Sequence, residues 1–164
     1  MAAIAQRLGT IVAGTTTIGS ITVFYHTTPS HTTRSLGWIS QYDQPLAPPV
    51  MATQLDAGPV LGVVRNSGSL FARLTHDIAP GTGPIDGFAH EMRLSVWGYV
   101  KATASDAAGT LIERLWADHI NAILVDPGLG TLVADTRPDG PMDTDDGLLE
   151  PLAAFSQTWV VMAG

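Results

Sequence analysis

The chain has 164 residues, which fits one domain over residues 1–164, and its net charge at pH 7 is −7. Hydrophobic residues make up 45% of the sequence and charged residues 14%, so the composition excludes a disordered chain. Phosphate-backbone binding needs clustered Lys and Arg, and the 8 basic residues here are scattered, which argues against specific nucleic-acid binding. The absence of cysteine excludes disulfides, thiolate metal sites and cysteine nucleophiles. No apolar run approaches the roughly 18 residues of a membrane span, so we expect no membrane partner.

The N-terminal third is predicted to contain a short helix, a strand and a long loop. Residues 2–13 carry apolar side chains at helical spacing: Ile4, Leu8, Ile11 and Val12. Gly14 marks the expected stop of this helix, and residues 20–26 are β-branched and aromatic, which is typical of a strand. Residues 27–58 contain Thr, Ser, Gly and four prolines and predict a long irregular segment. A segment of that length is either a surface loop or an arm that contacts a partner.

The middle of the chain is rich in strand signals. Residues 60–65 and 69–76 predict two strands, and Asn66-Ser67-Gly68 between them predicts a tight turn. Residues 77–87 predict a loop, and residues 88–101 predict the clearest strand. One face of that strand is expected to be apolar, with Met92, Leu94, Val96 and Val100. The other face combines aromatic and polar residues, namely Glu91, Arg93, Ser95, Trp97, Tyr99 and Lys101.

A long amphipathic helix is predicted over residues 105–125. Its apolar stripe has a period of 3.6 and consists of Leu111, Ile112, Leu115, Trp116, His119, Ile120, Ile123 and Leu124. Ser105 is the expected N-cap, Asp106 favours the positive end of the helix, and Asp126-Pro127-Gly128 ends it.

After this helix we expect a short strand or turn over 131–137, an acidic loop over 139–150 and a final strand over 152–162. Strands outnumber helices and mostly neighbour one another along the chain. The sequence therefore predicts an α+β fold, with a mostly antiparallel sheet, the long helix packed on one face and a short N-terminal helix.

The sequence lacks the residue motifs that are typical of enzyme active sites. No G-x-S-x-G elbow is present, and the glycine pairs at 81–83 and 128–130 are too short for phosphate-cradling loops. We therefore expect no enzymatic activity, no catalytic residue and no cofactor-binding residue.

Two segments contain residue types that bind metals in other proteins. His26 and His31 could meet across a loop, and Asp143-Thr144-Asp145-Asp146-Gly147 resembles a calcium-binding loop. The latter departs from the calcium pattern by one residue and lacks the bidentate Glu at its twelfth position. We therefore expect no metal site and interpret the segment as a solvated acidic loop.

The remaining histidines and the tryptophans are expected on regular elements. His119 lies on the helix stripe and is expected to be a packed or a rim histidine, and His90 is expected to be a buried ring on its strand. Trp97 and Tyr99 either mark an interface, where aromatic anchors concentrate, or lie beneath the domain's own helix.

The region from about residue 60 to residue 163 resembles the tail terminator and tail completion proteins of long-tailed phages and gene transfer agents. The resemblance rests on four segments in order: FAHEMRLSVWGYVKA, LIERLWADHINAILVDPGLG, VADTRPDGPMDTDDG and EPLAAFSQTWVV. They correspond to a strand, a helix that ends in Asp-Pro-x-Leu-Gly, an acidic Arg-Pro-x-Gly-Pro turn and a closing strand.

The resemblance implies a structural virion protein in the neck region of the tail, assembled in the host cytoplasm. The implied partners are further copies of the chain in a ring, usually a hexamer, the tail tube protein and the head-tail connector or stopper. The ring would cap the head-proximal end of the tube and stop its polymerisation, and DNA would pass through its lumen without specific binding. The alternatives are another neck protein, such as a head completion or stopper protein, and a small acidic binding module.

Overall fold

The structure is a computed structural model that describes residues 2–35, 54–77, 84–130, 133–145 and 151–163. Two helices longer than one turn occur in these ranges, α1 (Ala2–Leu8) and α2 (Ala108–Leu124). A single helical turn covers residues 54–57. The strands are β1 (Gly14–Ile18), β2 (Ile21–Tyr25), β3 (His31–Ser35), β4 (Val60–Asp77), β5 (Pro84–Lys101), β6 (Asp135–Pro138), β7 (Asp143–Thr144) and β8 (Leu152–Ala163).

The predicted fold class is confirmed. Six strands form one sheet in the order β3-β4-β5-β8-β6, with β7 also paired to β8, and β1 and β2 form a separate two-stranded sheet. The pairs are antiparallel except for β3 and β4, which run parallel. Helix α2 packs on β5 and β8, as expected for an amphipathic helix that covers one face of a sheet.

The core lies between α2, α1 and one face of the large sheet. Alternate residues of β5 point into it, and Leu94, Val96 and Val100 are fully buried as predicted. Helix α2 contributes Ile112, Leu115 and Ile123 to the same cluster. From α1, β4 and β8 the cluster receives Ile4, Leu8, Leu61, Val63, Phe155, Trp159 and Val161.

The long helix differs from the prediction at its N-terminus, where it begins at Ala108. Its N-cap is Ala107 in an extended conformation, with no side-chain hydrogen bond, so the expected cap at Ser105 is wrong. The hydroxyl of Thr103 instead accepts a bond from the backbone N–H of Asp106 at 3.0 Å, and Arg114 pairs with the Asp106 carboxylate at 2.9 Å. The helix stops before Asp126-Pro127-Gly128, as predicted.

The N-terminal segment contains a hairpin that the sequence did not predict. Helix α1 ends at Leu8 rather than near residue 13, and the chain then forms β1 and β2 with Ile18 opposite Ile21. Gly19 lies between them with φ of 60°, a left-handed conformation that favours glycine. Ile11 is buried although it lies beyond the helix, and Val12 is 54% exposed.

The expectation of an irregular segment over residues 27–58 is partly wrong. Residues 31–35 form β3 at the edge of the large sheet, where His31 lies opposite Val60 and Ser35 opposite Val64. The hydroxyl of Ser30 donates to the backbone carbonyl of Gln54 at 2.8 Å, so this part of the segment is tied to its own domain. Residues 36–53 lie outside the described residues.

Residues 60–77 form one strand, so the tight turn predicted at Asn66-Ser67-Gly68 is wrong. The register of β4 against β5 shifts there, since Arg65 pairs with Leu94 and Ser69 pairs with Met92. Three residues of β4 thus oppose one residue of β5, which is a bulge with two extra residues.

Beyond the bulge, β4 and β5 continue as a two-stranded ribbon. Strand β3 stops at a pairing with Val64, and β8 stops at the pairing of Ala163 with His90. The six pairs from Ala72↔Ala89 to Asp77↔Pro84 therefore have no third strand beside them among the described strands. At roughly 3.4 Å per residue, this part of the ribbon extends about 20 Å.

The C-terminal third follows the prediction closely. The end of the short strand or turn expected over 131–137 forms β6, the final strand expected at 152–162 is β8, and β7 lies within the predicted acidic loop. Within the described ranges, no helix is long and apolar enough to span a membrane.

Candidate interaction surface

A shallow groove with a mixed polar and apolar lining lies between the N-terminal hairpin and the C-terminal end of α2. It has a volume of about 500 Å³ and is broadly open to solvent. Three of its side chains are large, apolar and largely exposed: Ile21 at 50%, Phe24 at 56% and Leu124 at 44%. The groove is lined by Ile21, Thr22, Val23, Phe24, Asn121, Leu124 and Val125.

The wall formed by β2 is held in place by a buried carboxylate. Asp118 of α2 is completely buried, and its carboxylate accepts hydrogen bonds from the backbone N–H groups of His26 at 2.9 Å and Thr27 at 2.7 Å. The Thr27 hydroxyl donates a third bond at 2.7 Å. A buried carboxylate is tolerated when such donors surround it, so Asp118 fastens the end of β2 to the helix.

The wall formed by α2 is fastened just beyond its last turn. Arg7 of α1 pairs with the Asp126 carboxylate at 2.5 Å, and the backbone N–H of Gly130 donates to the same carboxylate at 2.8 Å. Leu129 adopts a φ of 48° in this turn and is itself buried. Polar contacts therefore hold the β2 wall to α2, and the turn after α2 to α1.

His119 is a packed residue of the core rather than one at its rim. Its imidazole is completely buried, lies 4.8 Å from the Phe155 ring and meets the Trp159 ring edge-on at 5.7 Å. Burial lowers the pKa of His119 to about 3, and the backbone of Trp116 offsets only part of this effect. The ring is therefore neutral at neutral pH, which suits packing rather than proton transfer.

Trp97 and Tyr99 lie on the face of the large sheet that points away from α2. Their alternation with the buried Leu94, Val96 and Val100 places them there, so the alternative that the long helix covers them is wrong. Both are half-buried, and their rings stack with centroids 6.5 Å apart. Burial raises the pKa of Tyr99.

The two histidines considered for metal binding do not form a metal site in the described structure. His26 is exposed with its ring edge-on to Phe24, and His31 lies at the start of β3. In the parts of the chain that the structure describes, no group of three or more His, Cys, Asp or Glu residues could hold a metal. The side chain of His90 lies outside the described residues.

The acidic segment after α2 lies along the edge of the large sheet. Asp143 is exposed, while Asp135, Asp139 and Asp145 are half-buried. The Asp145 carboxylate accepts a bond from the backbone N–H of Ala154 at 3.3 Å. Residues 146–150 lie outside the described residues, which leaves the resemblance to a calcium loop without a described geometry.

Most of the basic side chains that the structure describes are engaged in ion pairs. Arg93 pairs with Asp139 at 3.0 Å and with Glu91 at 3.4 Å, and Lys101 pairs with Asp56. Together with the pairs of Arg7 and Arg114, these contacts neutralise four separate cations within the chain. The described surface therefore offers no row of free cations for a phosphate backbone.

Sequence reasoning missed the groove because its parts are distant in the chain. Ile21 and Phe24 belong to a strand that reads as an ordinary apolar strand, and Leu124 was assigned to the buried stripe of α2. Its exposure of 44% corrects that assignment. Leu111, Trp116 and Ile120 of the same stripe are half-buried. Only the packing of the hairpin against the helix places residues of β2 and of the end of α2 around one groove.

No protein-family model matches the chain, and no curated protein matches its sequence significantly.

Proposed function

We propose that this chain is a non-enzymatic structural protein of a long-tailed phage that forms a ring at the head-proximal end of the tail tube. The ring ends tube polymerisation, docks to the head-tail connector or stopper, and belongs to the neck of the virion. Six copies are the expected number.

The observation that supports the proposal most directly is the spatial arrangement of the four segments that carry the resemblance. They form β5, α2, the β6–β7 region and β8, and these elements are neighbours in one packed unit. Together they supply the helix that covers the sheet and most of the buried core.

Two further features fit an assembling protein that DNA traverses. The exposed apolar side chains of Ile21, Phe24 and Leu124 at the groove are available for contact with a partner. The net charge of −7 and the ion-paired cations disfavour adhesion of a phosphate backbone, so DNA could pass without being held.

The test is the length and attachment of tails made without the protein. An uncapped tube end keeps presenting a free subunit interface, and further addition there remains favourable. We therefore expect heads to form, tails to exceed their normal length and tails to remain unattached in electron micrographs. Supplying the wild-type chain should restore both length and joining.

The other outcomes assign the chain elsewhere. Tails of normal length beside heads that have lost their DNA would place the protein on the head side of the joint, as a completion or stopper protein. Joined, infectious particles would remove it from the neck and favour a small acidic binding module.

A further inference from the structure

We draw no further inference here: the strongest candidate, the two-stranded ribbon formed by the outer halves of β4 and β5, has no third strand beside its outer pairs among the described strands, and nothing in the described residues shows which chain would pair with its edges.

Discussion

Asp118 illustrates how one residue can connect distant parts of the chain. It is a charged side chain on the buried face of α2, and its carboxylate satisfies two backbone N–H groups and one hydroxyl of the segment after β2. This role could not be predicted from the sequence, because helical periodicity shows that Asp118 is next to the apolar stripe but not which backbone groups it contacts.

Asp118→Asn should lower the free energy of unfolding by about 1.5–3 kcal/mol, because an amide group would face donors that require an acceptor. Thr27→Val removes only the hydroxyl bond and should cost about 1 kcal/mol. Glu113→Gln changes an exposed carboxylate on the same helix and should stay within about 0.5 kcal/mol of the wild type. Urea unfolding measures all three, and equal values for Asp118→Asn and Glu113→Gln would contradict the assigned role.

His119 makes stability depend on pH in a predictable direction. The unfolded chain takes up a proton on this imidazole near pH 6.5, whereas the folded chain does so only near pH 3. The stabilisation from the neutral buried ring is therefore complete above pH 6.5 and is lost as pH falls toward 3. The loss amounts to about 1.4 kcal/mol per pH unit at most.

His119→Leu should remove this contribution while keeping an apolar side chain of similar size. Both proteins are unfolded in urea at pH 7, 6 and 5. The wild type should lose free energy of unfolding relative to the variant as pH falls. The carboxylates are common to both proteins and cancel in this comparison. A difference that stays constant over this range would show that His119 titrates normally.

At the scale of elements, β5 and β8 pack against each other through a glycine on one strand and an aromatic ring on the other. Gly98 lies directly opposite Phe155, and the ring of Phe155 covers the glycine so closely that an added Cβ would lie 2.1 Å from its Cε1 atom. That ring in turn stacks against His119. The glycine therefore provides the space that lets Phe155 reach the helix.

Gly98→Ala should destabilise the protein by about 1–3 kcal/mol, because the added methyl group displaces a buried ring from its packed position. Gly109→Ala is the matched control, since no atom lies within 4 Å of its added Cβ on helix α2. It should stabilise the helix by about 0.5–1 kcal/mol.

Thermal or urea unfolding of the two glycine variants gives the comparison. Adding Phe155→Leu to Gly98→Ala should cost less than the sum of the single changes, because the smaller side chain vacates the contested space. Strict additivity would show that the ring does not constrain residue 98.

The elements that the sequence predicted correctly are those with a strong period and a buried face. Helix α2 and strands β5 and β8 carry apolar side chains at regular spacing, and burial of those faces fixes them. Strands β1 and β3 were missed because they are short, polar and rich in threonine, so only their pairing with β2 and β4 defines them. The turn predicted at residues 66–68 was wrong for the opposite reason, because pairing with β5 outweighs the local preference of these residues for a turn.

At the scale of the molecule, the acidic segment is expected to act through its charge. Changing Asp143, Asp145 and Asp146 together to Asn replaces three carboxylates and takes the net charge from −7 to −4. Asn keeps an oxygen that can accept the bond from the Ala154 N–H at position 145. The free energy of unfolding should therefore change by about 1 kcal/mol or less.

Urea unfolding measures this triple variant, with Glu113→Gln as a control for the loss of an exposed carboxylate elsewhere. A loss of more than a few kcal/mol would mean that the segment is a buried network or an essential ion site rather than a solvated one. The candidate surface at this scale was beyond sequence reasoning, because residues of β2 and of the end of α2 line one groove only when the hairpin packs on the helix.

The ribbon formed by the outer halves of β4 and β5 has a consequence for amide exchange. In an antiparallel pair, alternate residues bond across the ribbon, and the residues between them direct their N–H groups outward. No third strand among those described meets the six outer pairs from Ala72↔Ala89 to Asp77↔Pro84. Deuterium uptake in the isolated subunit should therefore alternate between slow and fast from one residue to the next along both strands. Slow uptake at every residue of one strand in assembled particles would reveal that a neighbouring protein has extended the sheet along that edge.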